Sequence, residues 1–272
     1  MMKSIKIFDT NFSHEEYSSS FQSSRFITWD RSGGNVLESE PVFYTDLFLE
    51  KADKSHPFNV GMLLEPPAIN SSIYSKIPLL LANFERVFTY ERNLLESNSK
   101  FSFYPHGGCW IKTEDMKIYP KDKLVSIIAS EKNATSGHRL RHKIISACGD
   151  KIEVFGRGYE SIPYKLPALQ DFMYSFVIEN SKIDYYFTEK LIDCLVTGTI
   201  PIYYGCPSIH KFFNPNGFIT FDSVEDLPKI FSELNSKDYE SKIPYIKENF
   251  EKALEFILSE DWIYQNTNIF KS

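Results

Sequence analysis

The amino-acid sequence predicts an α/β protein with two Rossmann-like halves facing across a cleft, where ligands bind at the carboxyl ends of the strands. Short runs rich in β-branched and aromatic residues alternate with amphipathic segments, the pattern of strand–helix–strand units in parallel sheets. A polar stretch at residues 112–123, which contains Pro120, separates two such series. The 272 residues allow two medium domains or one large one. We expect domains at residues 1–115 and 116–272; a single doubly wound domain is the alternative.

The first half contains five runs with the composition of short strands, at residues 5–9, 26–30, 59–64, 86–90 and 101–104. Two segments between them, residues 42–52 and 69–82, have apolar residues at helical spacing. The sequence at residues 32–35, Ser-Gly-Gly-Asn, indicates a loop. These segments together predict one parallel α/β unit.

The second half repeats the pattern more clearly. Strands are predicted at residues 124–129, 151–155, 172–178, 200–204 and 218–221. Helices are predicted at residues 139–148 and 188–197, and two more at residues 224–234 and 243–258 close the chain. We expect a final helix pair with Trp262 to pack back across the domains.

Composition and charge exclude several classes of protein. No window reaches the ~18 consecutive apolar residues of a membrane span, and residues 1–10 lack the apolar core of a secretory signal, so we expect a cytoplasmic protein with no membrane span. The four cysteines form no C-x-x-C pair, which favours reduced thiols. The formal net charge of −6 argues against nucleic-acid binding, since that requires basic surface.

The most informative segment is residues 176–193, FVIENSKIDYYFTEKLID. It begins as a buried strand, continues through polar residues and enters a helix at Thr188, a preferred N-cap type. A nucleotide-sugar site needs a carboxylate for the ribose hydroxyls, cations for the diphosphate, and amide or aromatic groups for the base and sugar. This set is supplied by Asn180, Tyr186, Glu189 and Lys190. The alternative is that these side chains only cap a turn and a helix or are solvated.

A basic cluster lies upstream, where a predicted strand meets a predicted helix. Its members are Lys132, His138, Arg139, Arg141, His142 and Lys143. In an acidic protein such a cluster at the start of a helix favours phosphate binding. An ordinary solvated helix start is the alternative.

These motifs resemble those of the α-1,3/1,4-fucosyltransferases, glycosyltransferase family 10. The resemblance rests on Glu179-Asn180-Ser181, Asp184-Tyr185, Thr188-Glu189-Lys190, and Gly198-Thr199-Ile200-Pro201-Ile202 followed by Gly205. Weaker similarity extends over residues 58–222. The resemblance implies a GT-B type fold, an N-terminal acceptor domain and a C-terminal donor domain.

The resemblance also implies roles for individual residues. Arg141 is the better match to the phosphate-binding arginine of the family, and Arg139 is the second candidate. Either Tyr185 or Tyr186 has the donor-contacting role. Glu65, which is followed by two prolines in a segment similar to the W-x-E-S-P type segment of the family, is the candidate general base. In the acceptor half Tyr90, Arg92 and His106 are further candidates, although the segments around them depart from the family pattern.

The function expected from this resemblance is inverting transfer of L-fucose from GDP-β-L-fucose to a hydroxyl of a glycan acceptor, with Lys190, Arg141 and Glu65 as catalytic residues. No two aspartates are separated by one residue and no H-E-x-x-H motif is complete, so we expect neither a metal nor a cofactor besides the donor. Two alternatives stay open. One is the same fold with another GDP- or UDP-sugar, and the other is a nucleotide-sugar-binding protein without turnover. The sequence predicts no particular oligomeric state.

Overall fold

The chain divides into two compact units in a computed structural model that describes residues 2–9, 12, 16–32 and 36–270. One unit runs to Gly108 and takes in the chain again from Leu258, and the other spans Cys109–Ile257. The predicted domains differ from these units at the boundary and in the closing segment, which was expected in the second domain. The predicted loop at residues 32–35 lies outside the described residues from position 33 onwards.

The first unit is built on a six-stranded parallel sheet with the strand order β2-β1-β3-β4-β5-β6. Its strands are β1 (Lys3–Phe8), β2 (Ile27–Asp30), β3 (Val42–Thr45), β4 (Asn59–Met62), β5 (Arg86–Thr89) and β6 (Phe101–Phe103). Its first two helices are α1 (Pro67–Leu80) and α2 (Arg92–Ser97). The two prolines after Glu65 suit the start of α1, because proline needs no amide partner in the first turn of a helix.

The prediction of a helix at residues 42–52 is wrong. Val42–Thr45 forms the strand β3, and only Asp46–Lys51 is helical, as a 3₁₀ turn. All four residues of β3 are buried, and the strand lies between β1 and β4. A strand covered on both faces is a nearly continuous apolar run, here Val42 to Tyr44, so its sequence lacks the alternation that would distinguish it from a buried helix.

The second unit contains a five-stranded parallel sheet with the order β11-β10-β9-β7-β8. The strands are β7 (Lys123–Ile128), β8 (Glu153–Phe155), β9 (Phe172–Ile178), β10 (Ile200–Tyr204) and β11 (Ile219–Thr220). The helices are α3 (Ser136–Cys148), α4 (Glu189–Leu195), α5 (Leu227–Glu233), α6 (Ser236–Ser241) and α7 (Ile243–Ala253). The strands predicted in this half are confirmed with small shifts of their ends, whereas the short helix α6 was not predicted.

The strand order of the second sheet reverses direction between β7 and β9. The chain moves outward from β7 to β8, then returns past β7 to form β9, β10 and β11 on the other side. At such a reversal the connections leave the strands toward opposite faces of the sheet, which opens a crevice at the carboxyl ends of the two strands. The topology therefore marks the ends of β7 and β9 as the natural ligand site of this unit.

The closing segment packs onto the first unit through the helix α8 (Ser259–Asn266). Ile263, Ile269 and Phe270 belong to the buried apolar cluster of that unit, and the ring of Trp262 meets the ring of Tyr104 edge-on.

Along the described ranges, no helix combines the length and apolarity that a membrane crossing requires. All four cysteines are buried and unbridged, as the sequence predicts.

Candidate functional site

A cavity of about 180 Å³ opens at the carboxyl ends of β7 and β9, at the reversal of strand order. The ends of both strands form its floor, through residues 128–130 and 175–178. The charged side chains that line it are Arg141, Lys165, Glu189, Lys190 and Asp193. The helices α3 and α4 and the loop before β9 supply these side chains, so residues distant in sequence meet at one point.

The start of α4 is tied to the end of β9 by a buried carboxylate. Glu179 is fully buried and accepts hydrogen bonds from the backbone amide of Thr188 at 2.9 Å and from its hydroxyl at 2.7 Å. Burial raises the pKa of Glu179, while the charge of Lys190 opposes this shift. Because Thr188 is also the N-cap of α4, these bonds set the position from which Glu189 and Lys190 project.

Four charged side chains of the cavity form a continuous ion-pair network. The ammonium group of Lys190 lies 3.1 Å from Glu189 and 3.9 Å from Glu179. The ammonium group of Lys165 lies 3.4 Å from Glu189 and 2.6 Å from Asp193. Burial alone would lower the pKa of Lys165, but the carboxylates of Asp193 and Glu189 raise it above its ordinary value. Lys165 therefore carries its positive charge at neutral pH.

The guanidinium of Arg141 adds a third cation from α3. Its Nε donates to the carbonyl of Ile178 at 3.1 Å, and its Nη2 donates to Oδ1 of Asn180 at 3.0 Å. These bonds fix the guanidinium at the end of β9 and orient the Asn180 amide with it. Two residues that the sequence singled out separately, Arg141 and Asn180, therefore lie side by side at this edge of the sheet.

The first turn of α3 approaches β9 so closely that only glycine fits there. A Cβ atom on Gly137 would lie 1.8 Å from the carbonyl oxygen of Glu179. Thr135 and His138 form a capping box at the same turn, in which Nδ1 of His138 accepts from the Thr135 amide at 3.2 Å. Burial, reinforced by the charge of Arg141, lowers the pKa of His138 to about 4. The imidazole is therefore neutral and acts as part of the helix cap.

Four of the predicted donor-site residues lie outside the lining of this cavity, and one of them is Asn180, which bonds to Arg141 beside it. Arg139 is exposed and donates to the carbonyl of Ala134 at 3.2 Å, so α3 directs Arg141 toward the cavity and Arg139 away from it. Tyr185 is half-buried in a left-handed conformation with φ of 64°, and its hydroxyl accepts from Lys211 at 2.9 Å. Tyr186 is buried in the core.

Sequence reasoning missed Lys165 and Asp193. Asp193 lies four residues after Glu189, so helical spacing alone would have put both carboxylates on one face of α4. Lys165 stands in an irregular stretch between β8 and β9, where no periodicity indicates which way a side chain points. Only the fold brings Lys165 to the cavity.

Replacing Lys165 by methionine tests the strength of this network. The change leaves the buried carboxylate of Asp193 without its cation, so we expect the free energy of unfolding to fall by about 2–3 kcal/mol. This value lies at the low end for buried pairs because 25% of the Lys165 side chain is exposed. Urea denaturation of wild type and variant measures the difference.

Lys123→Met is the matched control for this replacement. Lys123 pairs with Glu153 at 2.9 Å on the surface, where both side chains are more than 40% exposed. Exposed pairs contribute about 0–1 kcal/mol, so the control should lose much less stability. Equal losses in the two variants would show that Lys165 stabilises no more than an ordinary surface lysine does.

The predicted base Glu65 belongs to the first unit, where it follows the carboxyl end of β4 and is half-buried. Of the other candidates in that unit, Tyr90 is fully buried and Arg92 is exposed, paired with Glu96 at 2.7 Å. No cluster of three or more metal-ligating His, Cys, Asp or Glu side chains occurs among the described residues.

Comparisons with known proteins point in one direction. Residues 118–251 match the sequence model of Glycosyltransferase family 10 (fucosyltransferase) C-term. An α-(1,3)-fucosyltransferase of Helicobacter pylori is 27% identical over 157 residues, which are 56% of this chain and 32% of that relative. A GDP-fucose protein O-fucosyltransferase 3 of Danio rerio is 35% identical over 81 residues, which are 28% of this chain and 17% of the relative. The matches thus span a third or less of the length of these two relatives.

A solved structure extends the similarity to nearly the whole fold. A crystal structure of an α1,3-fucosyltransferase with GDP-fucose superposes with a TM-score of 0.58 over 94% of this chain and 89% of its own, at 18% identity. The predicted α/β class with parallel sheets, of the GT-B type, is confirmed by this likeness of fold.

Proposed function

We propose that the chain is a member of glycosyltransferase family 10, whose sequence model its residues 118–251 match, and that it transfers L-fucose from GDP-β-L-fucose to a hydroxyl of an acceptor. One observation carries the proposal. Arg141, Lys165 and Lys190 surround a cavity at the reversal of strand order in the second sheet. These three cations outnumber the two carboxylates of the cavity, Glu189 and Asp193, so the lining carries a net positive charge that suits an anionic diphosphate.

Each cavity residue has a specific task in this proposal. Lys190 and Arg141 neutralise the charge that develops on the departing diphosphate, as preorganised cations that need no reorganisation during the reaction. Glu189 accepts hydrogen bonds from the ribose hydroxyls, while Asn180 and one of Tyr185 and Tyr186 contact the rest of the donor. Arg141 takes the phosphate role in preference to Arg139, because Arg141 lines the cavity.

The proposed reaction is a single displacement at the anomeric carbon of fucose. The acceptor oxygen forms a bond to that carbon from the face opposite GDP, and the bond from carbon to the phosphate oxygen breaks. The acceptor proton passes to the carboxylate of Glu65 as general base. The β-linked donor therefore gives an α-fucoside, and GDP leaves with both electrons of the broken bond.

The names of the relatives agree on the sugar and differ on the acceptor. Both curated relatives described above are named as fucosyltransferases, one as an α-(1,3)-fucosyltransferase and the other as a protein O-fucosyltransferase. Fucose is accordingly the donor sugar that we propose. A glycan acceptor and a cytoplasmic location stay predictions from the sequence.

Thermal unfolding with nucleotides tests the donor. A ligand at 100 times its dissociation constant stabilises the folded state by about 2.7 kcal/mol, so GDP should raise the Tm by several degrees and UDP should not. Stabilisation by UDP alone would overturn the fucose assignment and favour another nucleotide sugar.

Product formation tests turnover. GDP-fucose is supplied with a panel of β-galactosides and N-acetylglucosaminides, and GDP release is followed together with the mass of the acceptor. An increase of one fucosyl residue on an acceptor supports the proposal. Binding of GDP without release above background would instead indicate a nucleotide-sugar-binding protein without turnover.

A further inference from the structure

The backbone at Leu64 and Glu65 is held by side chains from three other elements. One carboxylate oxygen of Asp46, Oδ1, accepts from the amide of Leu64 at 2.9 Å and from the amide of Glu65 at 3.3 Å. The hydroxyl of Tyr90 donates to the carbonyl of Leu64 at 3.2 Å, and that of Tyr74 donates to the carbonyl of Glu65 at 2.9 Å. All four backbone polar groups of these two residues are therefore bound by side chains.

Sheet topology explains why these side chains converge. Asp46 directly follows β3, Glu65 follows β4 and Tyr90 follows β5, and these three strands are neighbours in a parallel sheet. The carboxyl ends of parallel strands lie at the same edge of the sheet. Tyr74 comes from α1, the helix that begins two residues after Glu65.

Asp46 occupies its position at a cost to stability. It is fully buried, and its φ of 45° lies in the left-handed region, which costs about 1–2 kcal/mol for a residue with a side chain. A buried carboxylate is itself unfavourable unless hydrogen bonds compensate it. Strain of this kind persists where the surrounding structure enforces it, and it concentrates at functional sites.

Both tyrosines donate hydrogen bonds through their hydroxyl groups. Tyr90 is fully buried, and burial raises the pKa of Tyr74 well above the range in which enzymes work. The hydroxyl of Tyr74 thus keeps its proton, and the hydroxyl of Tyr90 donates to the carbonyl of Leu64. On the other side of Glu65, Pro66 and Pro67 restrict the backbone further, because each proline ring fixes its own φ.

We propose that Asp46, Tyr74 and Tyr90 are positioning residues, which hold the main chain of Glu65 and so fix the point from which its carboxylate extends for proton abstraction. This inference rests on the proposed function, in which Glu65 is the general base. A strand end without such a role needs only water or backbone partners for its polar groups. Four side-chain hydrogen bonds to two consecutive residues instead remove the freedom of that backbone.

A double-mutant cycle between Tyr74 and Glu65 tests the proposal. Tyr74→Phe removes only the hydroxyl, and we expect kcat for fucosyl transfer to fall about five- to tenfold with an unchanged KM for GDP-fucose. In the Glu65→Gln background the same replacement should change kcat by less than twofold, because positioning acts through the missing base. A purely structural role would lower kcat by the same factor in both backgrounds.

Asp46→Asn provides a second variant that retains the shape of the side chain. Asparagine tolerates the left-handed conformation and keeps one acceptor oxygen, but it lacks the charge that strengthens both bonds. We expect a loss in kcat of about tenfold that again disappears in the Glu65→Gln background.

Tyr239→Phe is the matched control. Tyr239 is a buried tyrosine of the other unit, and its hydroxyl donates to the carbonyl of Gly198 at 2.8 Å. Its replacement should lower the Tm as Tyr74→Phe does, with kcat within twofold of wild type.

The outcomes separate this proposal from the proposed function. A wild-type enzyme without transfer activity would overturn both. An active wild type in which Tyr74→Phe and Asp46→Asn retain full kcat, or lose it equally with and without Glu65, would overturn the positioning role alone. A loss of kcat that occurs with Glu65 present and disappears in the Glu65→Gln background supports the positioning role.

Discussion

Replacing Lys190 by alanine is expected to lower kcat for fucosyl transfer by about 10²-fold or more. In the proposed reaction the ammonium group of Lys190 stabilises the negative charge of the departing GDP, and this charge is largest in the transition state. Removing a preorganised group of this kind therefore lowers kcat and kcat/KM together. Steady-state rates of GDP release with a fixed acceptor measure the effect.

Lys182→Ala is a suitable control for this prediction. Lys182 belongs to the same signature segment, but it is exposed and pairs with Asp222 on the surface. Its replacement should leave kcat within twofold of wild type. A loss of less than threefold in Lys190→Ala would contradict the leaving-group role. Circular dichroism should accompany the assay, because Lys190 also lies 3.9 Å from the buried Glu179.

Replacing Glu65 by glutamine is expected to lower transfer by about 10²- to 10⁴-fold while leaving GDP affinity unchanged. Glutamine has the same shape and can accept a hydrogen bond, but it does not take up the acceptor proton at neutral pH. Its backbone bonds to Asp46 and Tyr74 should persist, because they involve main-chain groups. The rate of transfer and the dissociation constant of GDP are measured on the same preparation.

Glu96→Gln is the control for Glu65→Gln. Glu96 is an exposed glutamate of the same unit that pairs with Arg92 at 2.7 Å, so its replacement should leave both transfer and GDP affinity unchanged. Unaltered transfer in Glu65→Gln would remove Glu65 from the mechanism. A loss of GDP affinity in that variant would instead indicate that Glu65 helps to bind the donor.

Local patterns in the sequence were enough to predict most of the strands and helices of the fold. The runs at residues 172–178 and 200–204 are continuous and apolar, and they form the strands β9 and β10 at those positions. The N-cap at Thr188 is visible because a threonine precedes an apolar helical repeat. The strand β3 was mistaken for a helix, since burial on both faces removes the periodicity that separates the two structures.

The candidate site residues that the sequence singled out most readily stand together in the chain. Asn180, Glu189 and Lys190 fall within eleven consecutive positions, and the chemistry of that segment indicated a nucleotide-sugar site. Lys165 was missed, because its partners Glu189 and Asp193 lie 24 and 28 positions further along the chain. Ion pairs over such separations depend on how the loop before β9 packs, which no local pattern specifies.

The sequence by itself determined the parallel α/β class, the helix start at Thr188, and the positions of Glu189 and Lys190 in the first turn of that helix. Periodicity, capping and residue chemistry are local properties, so they can be read along the chain. Only the tertiary structure decided that Arg141 lines the cavity whereas Arg139 does not, and that Asp46 and two tyrosines hold Glu65. Both depend on strand order and burial, because these bring together side chains that are far apart in sequence.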